Sequence, residues 1–276
     1  TLTAEDVGST LTLEVSYTDG RGNVETITSA STAVVSTDAA NPVPGTDGND
    51  TIKGLVDKAT TANTTFNALD DVNAGLGEDT FRLDFIGNGK DTKDANELQA
   101  LPSGVSLTNI GTFNLRASGD VGEKSTANSL DLTGQSFSTV NVTVGDDVAV
   151  EAADTADVNF SGLTGELEVD GGQNVKVTDA TADQDITVGA ATANNGTIEV
   201  TDTAQGTGEI AIDGGTDVTV DATSDADSST GAEGRITVGD TGNTTVGTIG
   251  TADDAPTGAI DITQNLESDG DGAITG

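Results

Sequence analysis

Apolar-x-apolar pairs recur along the C-terminal two-fifths of the chain. They are Leu167/Val169, Val175/Val177, Ile186/Val188, Ile198/Val200, Ile210/Ile212, Val218/Val220 and Ile236/Val238. Most successive pairs lie 8 to 12 residues apart. Alternation with period 2 places both apolar residues of a pair on one strand face. Asp, Gly, Asn and Thr fill the gaps, and these are turn formers. One such strand buries two or three aliphatic side chains, too few to hold a domain unless identical rungs stack on it.

The pattern repeats at a larger scale. Gly165-Glu166-Leu167-Glu168-Val169-Asp170-Gly171-Gly172 returns 43 residues later as Gly208-Glu209-Ile210-Ala211-Ile212-Asp213-Gly214-Gly215. Asn174 to Val177 matches Asp217 to Val220 at the same offset, and Ile186 to Gly189 matches Ile236 to Gly239 at an offset of 50. The difference is read as an insertion in the polar run Asp225 to Ser229. Gly258 to Thr263 reads as a third copy of Gly208 to Asp213, and Leu130 to Leu167 as an earlier unit with four strands. Self-similarity at this scale marks stacked repeats. The predicted fold is all-β: a parallel β-solenoid (β-helix or β-roll) of imperfect units of about 37–50 residues. A coil of about 20 residues with two or three strands fits. An antiparallel β-sandwich with regularly spaced strands is the alternative.

Four segments are expected in order. Residues 1–37 carry Leu11 to Tyr17, which alternates, a turn cluster from Thr18 to Asn23, and further strand at Val24 to Ile27 and Ala33 to Val35. Leu2 to Ser9 and Tyr17 to Asn23 resemble the Ig-like or cadherin-like modules of large bacterial surface adhesins. The resemblance implies a partial Ig-like β module whose front strands lie upstream or come from a neighbouring subunit. Thr1-Leu2-Thr3 reads as mid-domain, so a longer protein is expected. Residues 38–44 form a linker, since Asn41-Pro42 and Val43-Pro44 disfavour helix. Residues 45–110 hold two glycine-rich turns, a polar spacer over Leu55 to Thr65 expected to loop out, and a short helix over Thr92 to Leu101 ended by Pro102. Residues 111–276 carry the repeats and end on the acidic turn Asp269 to Gly272, without a capping element.

The two turns carry chemistry. Gly45-Thr46-Asp47-Gly48-Asn49-Asp50-Thr51-Ile52-Lys53 matches the calcium-binding nonapeptide G-G-x-G-x-D-x-U-x at Gly45, Gly48, Asp50 and Ile52, with Thr46 in place of its second Gly. Ala74-Gly75-Leu76-Gly77-Glu78-Asp79-Thr80-Phe81-Arg82 matches at Gly75, Gly77, Asp79 and Phe81, with Ala74 in place of its first Gly. Glycines let the turn bend until carbonyls point inward, and Asp closes the oxygen cage. With Phe66 to Val72 between them, these segments resemble the RTX-type calcium-binding bacterial surface proteins, in particular S-layer-like and biofilm-matrix proteins exported by type I secretion. That resemblance implies Ca²⁺, folding outside the cell and self-association. Asp47, Asn49, Asp50, Gly75, Gly77 and Asp79 are the candidate metal residues here.

Charge strengthens the case for a cation. Lys plus Arg number 10 against 47 Asp plus Glu, a net charge of -37. A compact body so charged repels itself, and nucleic acid as partner would add repulsion. Asp, Asn and backbone oxygens are the ligands that hard Ca²⁺ prefers. Acidic residues recur where strands end, at Asp170, Asp179, Asp202, Asp213, Asp221 and Asp240. Stacked in register about 5 Å apart they repel unless bridged; an ordinary turn role for Asp is the alternative. Asp170, Asp213, Asp269 and Asp271 complete the candidate metal residues.

The chain has no Cys, Met, Trp or His. A disulfide framework is excluded, while export is neither demanded nor excluded. Without His or Cys no nucleophile–base pair assembles, and carboxylates are too numerous for spacing to single out an acid and a base. An enzyme is not expected. No run reaches the 18 apolar residues of a membrane span. The expected role is a structural extracellular protein of the cell surface that assembles with calcium into a surface layer, filament or biofilm matrix. Its expected partner is itself, through strand complementation, with cell-surface polysaccharide as a further partner. The alternative is a spacer or ligand-binding section of a large calcium-dependent adhesin. Ice binding is a third reading, but Thr187, Thr219 and Thr237 stand singly.

Overall fold

The computed structural model describes residues 12–31, 41–68, 70–87, 97–122, 129–144, 146–226, 234–239 and 255–268. The chain divides into two compact units, Thr1–Asn41 and Pro42–Gly276. In the first, β1 (Glu14–Thr18) and β2 (Val24–Thr28) form an antiparallel hairpin, with Val15 opposite Ile27 and Tyr17 opposite Glu25. The Asp19 carboxylate closes the turn, accepting the N–H groups of Asn23 and Arg21, each at 2.8 Å. Those bonds, Asn23's first, hold its carboxyl below the usual range. The strand expected over Ala33 to Val35 and the segment Leu2 to Ser9 lie outside the described residues.

The second unit is a parallel β-solenoid. Its first strands are β3 (Asn41–Pro44), β4 (Thr51–Asp57), β5 (Asp70–Asn73), β6 (Thr80–Ile86), β7 (Ser106–Thr108) and β8 (Thr112–Ser118). There follow β9 (Leu130–Asp131), β10 (Thr139–Val144), β11 (Val148–Ala152), β12 (Asp157–Ser161), β13 (Leu167–Gly171) and β14 (Val175–Asp179). The last are β15 (Ile186–Val188), β16 (Ile198–Asp202), β17 (Ile210–Ile212), β18 (Val218–Ala226), β19 (Ile236–Val238) and β20 (Ile260–Ser268). Even-numbered strands from β4 to β20 build one nine-stranded sheet in sequence order. Odd-numbered strands build the opposite wall, a three-stranded sheet (β3, β5, β7) and then a six-stranded one (β9 to β19). Each rung therefore has two strands, which fixes what periodicity left between two and three.

Strict register explains the sequence pattern. One inward column of the large sheet runs Ile52, Phe81, Phe113, Val140, Val158, Val175, Ile198, Val218, Ile260. In the six-stranded sheet Val148, Leu167, Ile186, Ile210 and Ile236 form another. Most of these side chains are buried, each removal from water contributing about 1.5–3 kcal/mol before entropy is counted. Two phenylalanines reach this core from outside the strands. Phe66 packs on Phe81 (4.9 Å between ring centroids) and Phe137 stacks on Phe113 (5.0 Å), with Phe81 and Phe113 themselves stacked at 6.2 Å. Gly54 makes room for the first of these, since a Cβ there lies 2.8 Å from that of Phe66.

Register also corrects several expectations. The 43-residue unit is two rungs, since Leu167 pairs with Ile186 and Ile186 with Ile210. Gly258 to Thr263 does not repeat Gly208 to Asp213: Ile260 pairs with Val218 on the opposite sheet. Both walls use the same Ile-x-Ile code, so composition does not tell them apart. Leu130 aligns through Val150 with Val169, not with Leu167. The expected spacer begins inside β4, and the chain folds straight back after a 3-10 turn at Thr61–Asn63, with Thr65 and Phe66 donating to the Leu55 carbonyl. The described part of the expected helix, Glu97 to Leu101, is not helical. There Leu98 is buried and donates to the Asp120 carbonyl while accepting from Gly122. Its remainder, and part of the insertion read at Asp225 to Ser229, lie outside the described residues.

Candidate functional site: stacked turns and strand-end carboxylates

The two nonapeptides lie one directly on the other. Thr51 pairs with Thr80 and Ile52 with Phe81, and the same 29-residue offset continues back through the turns. Gly45 donates to Asn73 O (2.7 Å), Leu76 to Thr46 O (3.2 Å) and Thr80 to Asp50 O (2.9 Å). Close approach requires the glycines. A Cβ on Gly45 lies 2.0 Å from Ala74 O, and one on Gly75 lies 2.1 Å from Thr46 O. Gly75 and Gly77 also have φ of +94° and +130°, angles that side chains disfavour. Thr46 and Ala74, the two departures from the motif, are therefore accommodated without breaking the stack.

The acidic residues of these turns differ in what they still offer. The Asp50 carboxylate is engaged within its own turn, accepting the Thr46 N–H (2.6 Å) and hydroxyl (2.9 Å) through Oδ2. Asn49 Oδ1 accepts the Glu78 N–H at 3.0 Å. Asp47 is exposed. Asp79 is 0% exposed; its Oδ1 accepts the Asp50 N–H at 2.7 Å, while its Oδ2 is buried with no hydrogen-bond partner. A buried carboxylate oxygen without a donor is costly. A free buried carboxylate oxygen at a turn fits a hard cation, which draws on side-chain and backbone oxygens together. Among the described residues no group of three or more acidic side chains could hold a metal ion, so carbonyls must supply much of any such cage.

The strand-end acids separate into three kinds. Asp170 and Asp213 are buried on the six-stranded wall, but they do not stack on each other. Val169 pairs with Val188 and Val188 with Ile212, which puts Gly189 in the rung between them and separates the charges. The Asp170 carboxylate instead accepts the N–H groups of Ala191 (2.7 Å) and Thr192 (3.2 Å) from that rung. Asp221 pairs with Thr201 and Thr263 on the outward face and is exposed. Asp179 and Asp202 do stack on adjacent rungs of the nine-stranded sheet. Burial raises the Asp179 carboxyl. Burial, with Asp179 adding repulsion, pushes Asp202 up to about 6. Asp240, Asp269 and Asp271 lie outside the described residues.

Three asparagines that sequence reasoning passed over help to hold these turns. Asn73 Oδ1 accepts from Gly75 N (3.2 Å) and Asn109 Nδ2 (2.9 Å), tying the second turn to a third. Asn109 has φ +56°, a conformation asparagine tolerates. Asn194 donates to the Gly171 carbonyl and leaves its own Oδ1 buried without a donor. The Asn194-Asn195-Gly196 turn signal was legible; its role between rungs was not. On the outward face of the nine-stranded sheet, Asn159, Asn141 and Asn114 form an amide ladder with bonds of 2.9 and 2.7 Å. No helix among the described residues is long and apolar enough to cross a membrane. No protein-family model matches the chain, and no curated protein matches it either.

Proposed function

We propose that this chain is a structural, extracellular protein of the RTX type, whose solenoid is stiffened by Ca²⁺ and whose copies join into a surface layer, filament or biofilm matrix. The observation that carries this reading is the in-register stack of the two glycine-rich turns, with Asp79 Oδ2 buried and unpartnered between rungs. Asp79 and the turn carbonyls would hold the ion. Asp50 and Asn49 shape the turns that present those carbonyls. Calcium supplies the positive charge that a net charge of -37 lacks.

Sheet order supports the self-association reading. Among the described residues, β4 and β20 are the end strands of the nine-stranded sheet. An end strand presents unpaired N–H and C=O groups and templates another strand. Copies adding head to tail would continue the parallel sheet into an open polymer. Repulsion between bodies of this charge opposes such contacts, so cations act as the switch. The test is light scattering and electron microscopy during calcium addition, with sodium chloride matched for ionic strength. Polymers in calcium and monomers in sodium are expected. A protein that stays monomeric in millimolar calcium defeats the assembly reading.

The outward face supports a second reading, an adhesin section that grips a cell-surface polysaccharide. Beside the Asn114–Asn141–Asn159 ladder runs a hydroxyl column of Thr143, Ser161, Thr178 and Thr201. Regular amides and hydroxyls suit sugar hydroxyls. A glycan array would decide: retention that falls on Asn141→Ala supports this reading, and no retention on any glycan removes it.

A further inference from the structure

Asp179 closes β14 and Asp202 closes β16, and the two are register partners on adjacent rungs. Their side chains face inward, at 2% and 1% exposure. Each commits Oδ1 to its own turn. Asp179 accepts the N–H groups of Ala180 (2.6 Å) and Thr181 (3.0 Å), and Asp202 that of Ala204 (2.9 Å). Each leaves Oδ2 buried with no partner. The column continues from Asp202 to Ala222 and then Gln264, so only a methyl group stands below Asp202. From the neighbouring turn comes Gln205, 0% exposed, whose Oε1 accepts Gln264 Nε2 at 2.8 Å.

Among the described residues nothing basic is seen to pair with this cluster. Lys176 and Arg235, the basic residues of the repeats, pair with Glu199 and Glu209 on more exposed ground. Two carboxylates about 4.8 Å apart, as rung spacing dictates, are buried with no counter-charge. Uncompensated, buried charges of this kind are strongly unfavourable. We propose that Asp179 and Asp202 form an internal divalent-cation site between rungs, taking Ca²⁺ through their two free carboxylate oxygens. One divalent ion neutralises both charges and needs only hard oxygen donors. Backbone carbonyls and water complete its shell. Burial raises both carboxyls, and the Asp179 charge adds to the rise at Asp202.

This site is separate from the stacked nonapeptide turns, and the test keeps the two apart. Calcium bound per chain is measured by equilibrium dialysis of the full chain, for wild type, Asp202→Asn, Asp179→Asn and Asp79→Asn, with melting temperatures in calcium and in chelator. Asparagine keeps the shape and the turn hydrogen bonds. Both Asp202→Asn and Asp179→Asn are expected to bind about one calcium ion fewer than wild type. Both should rise less in melting temperature on adding calcium, while in chelator they melt no lower than wild type. A full complement of calcium in either variant overturns the site and leaves a shared proton as what satisfies the pair. A deficit in Asp79→Asn alone also overturns it while sparing the nonapeptide reading. A deficit in the Asp179 and Asp202 variants alone upholds it and counts against the nonapeptides.

Discussion

Gly75 and Asp183 show two opposite uses of left-handed backbone. At Gly75 the turn leaves no space: φ is +94° and a Cβ meets Thr46 O at 2.1 Å. Gly75→Ala should cost more than about 1 kcal/mol, lowering Tm by roughly 2–4 °C per kcal/mol in a body of this size. Gly134 is the control, because a Cβ there meets nothing within 4 Å. Equal melting of the Gly75→Ala and Gly134→Ala proteins by calorimetry would remove steric stacking as the reason for Gly75. At Asp183 (φ +63°) the side chain is used. Its carboxylate accepts the Thr207 N–H and hydroxyl of the next rung, both at 2.8 Å, and these bonds lower its pKa below the ordinary 3.8. The folded state thus holds this proton more weakly than the unfolded chain. The stability it adds is present above about pH 4 and is lost as pH falls through the lowered value. Asp183→Asn keeps the acceptor without the titration, so its acid unfolding curve should be shallower below pH 4. Superimposable curves would refute this role.

At the scale of elements, the strands were legible and their partners were not. Apolar-x-apolar located β13 to β19 because each inward pair faces a shared core. Assigning a strand to its wall requires knowing the length of the preceding turn, which sequence alone leaves free. Ile260-Asp261-Ile262 was therefore set against Ile210-Ala211-Ile212, when it lies beside Val218-Thr219-Val220. The stacked turns were legible from their glycines, since the motif encodes the sterics directly. The Asp179–Asp202 contact was visible only as a list of strand-end acids, because burial and adjacency come from register. Phe66 and Phe137 were missed as core because they lie outside the alternating runs, yet they cap the ring stack formed with Phe81 and Phe113. Phe113 sits at 0% exposure between Phe81 and Phe137. Phe113→Ala should cost about 3–5 kcal/mol, and Phe113→Leu distinctly less. Denaturant titration measures both; equal midpoints for the two variants would argue against lost volume as the cause, and a Phe113→Leu midpoint equal to wild type would argue against a ring-specific contribution.

At the scale of the whole molecule, rungs touch their neighbours and little else. The nine-stranded sheet keeps sequence order from β4 to β20, so stability is nearly a sum of rung terms and nearest-neighbour terms. Such a body need not unfold all at once. Val177 is the place to test this: it is 0% exposed, mid-sheet, with Phe160 and Val200 as register partners. Val177→Asp places a charge in an apolar core, a change large enough to open its own rung. Hydrogen exchange should then lose protection most in β12, β14 and β16, less in β10 and β18, and least in β4 and β6. Calorimetry should show the single wild-type transition broadened or split, with the rungs around Phe81 and Phe113 melting last. The phenylalanine stack gives that end aromatic packing that β15 to β19 lack. Calcium should raise the later transition through Asp79 even when the middle rungs are open, because binding to folded turns stabilises them by mass action. Uniform loss of protection along the sheet, with one sharp transition, would mean that the solenoid behaves as a single cooperative block.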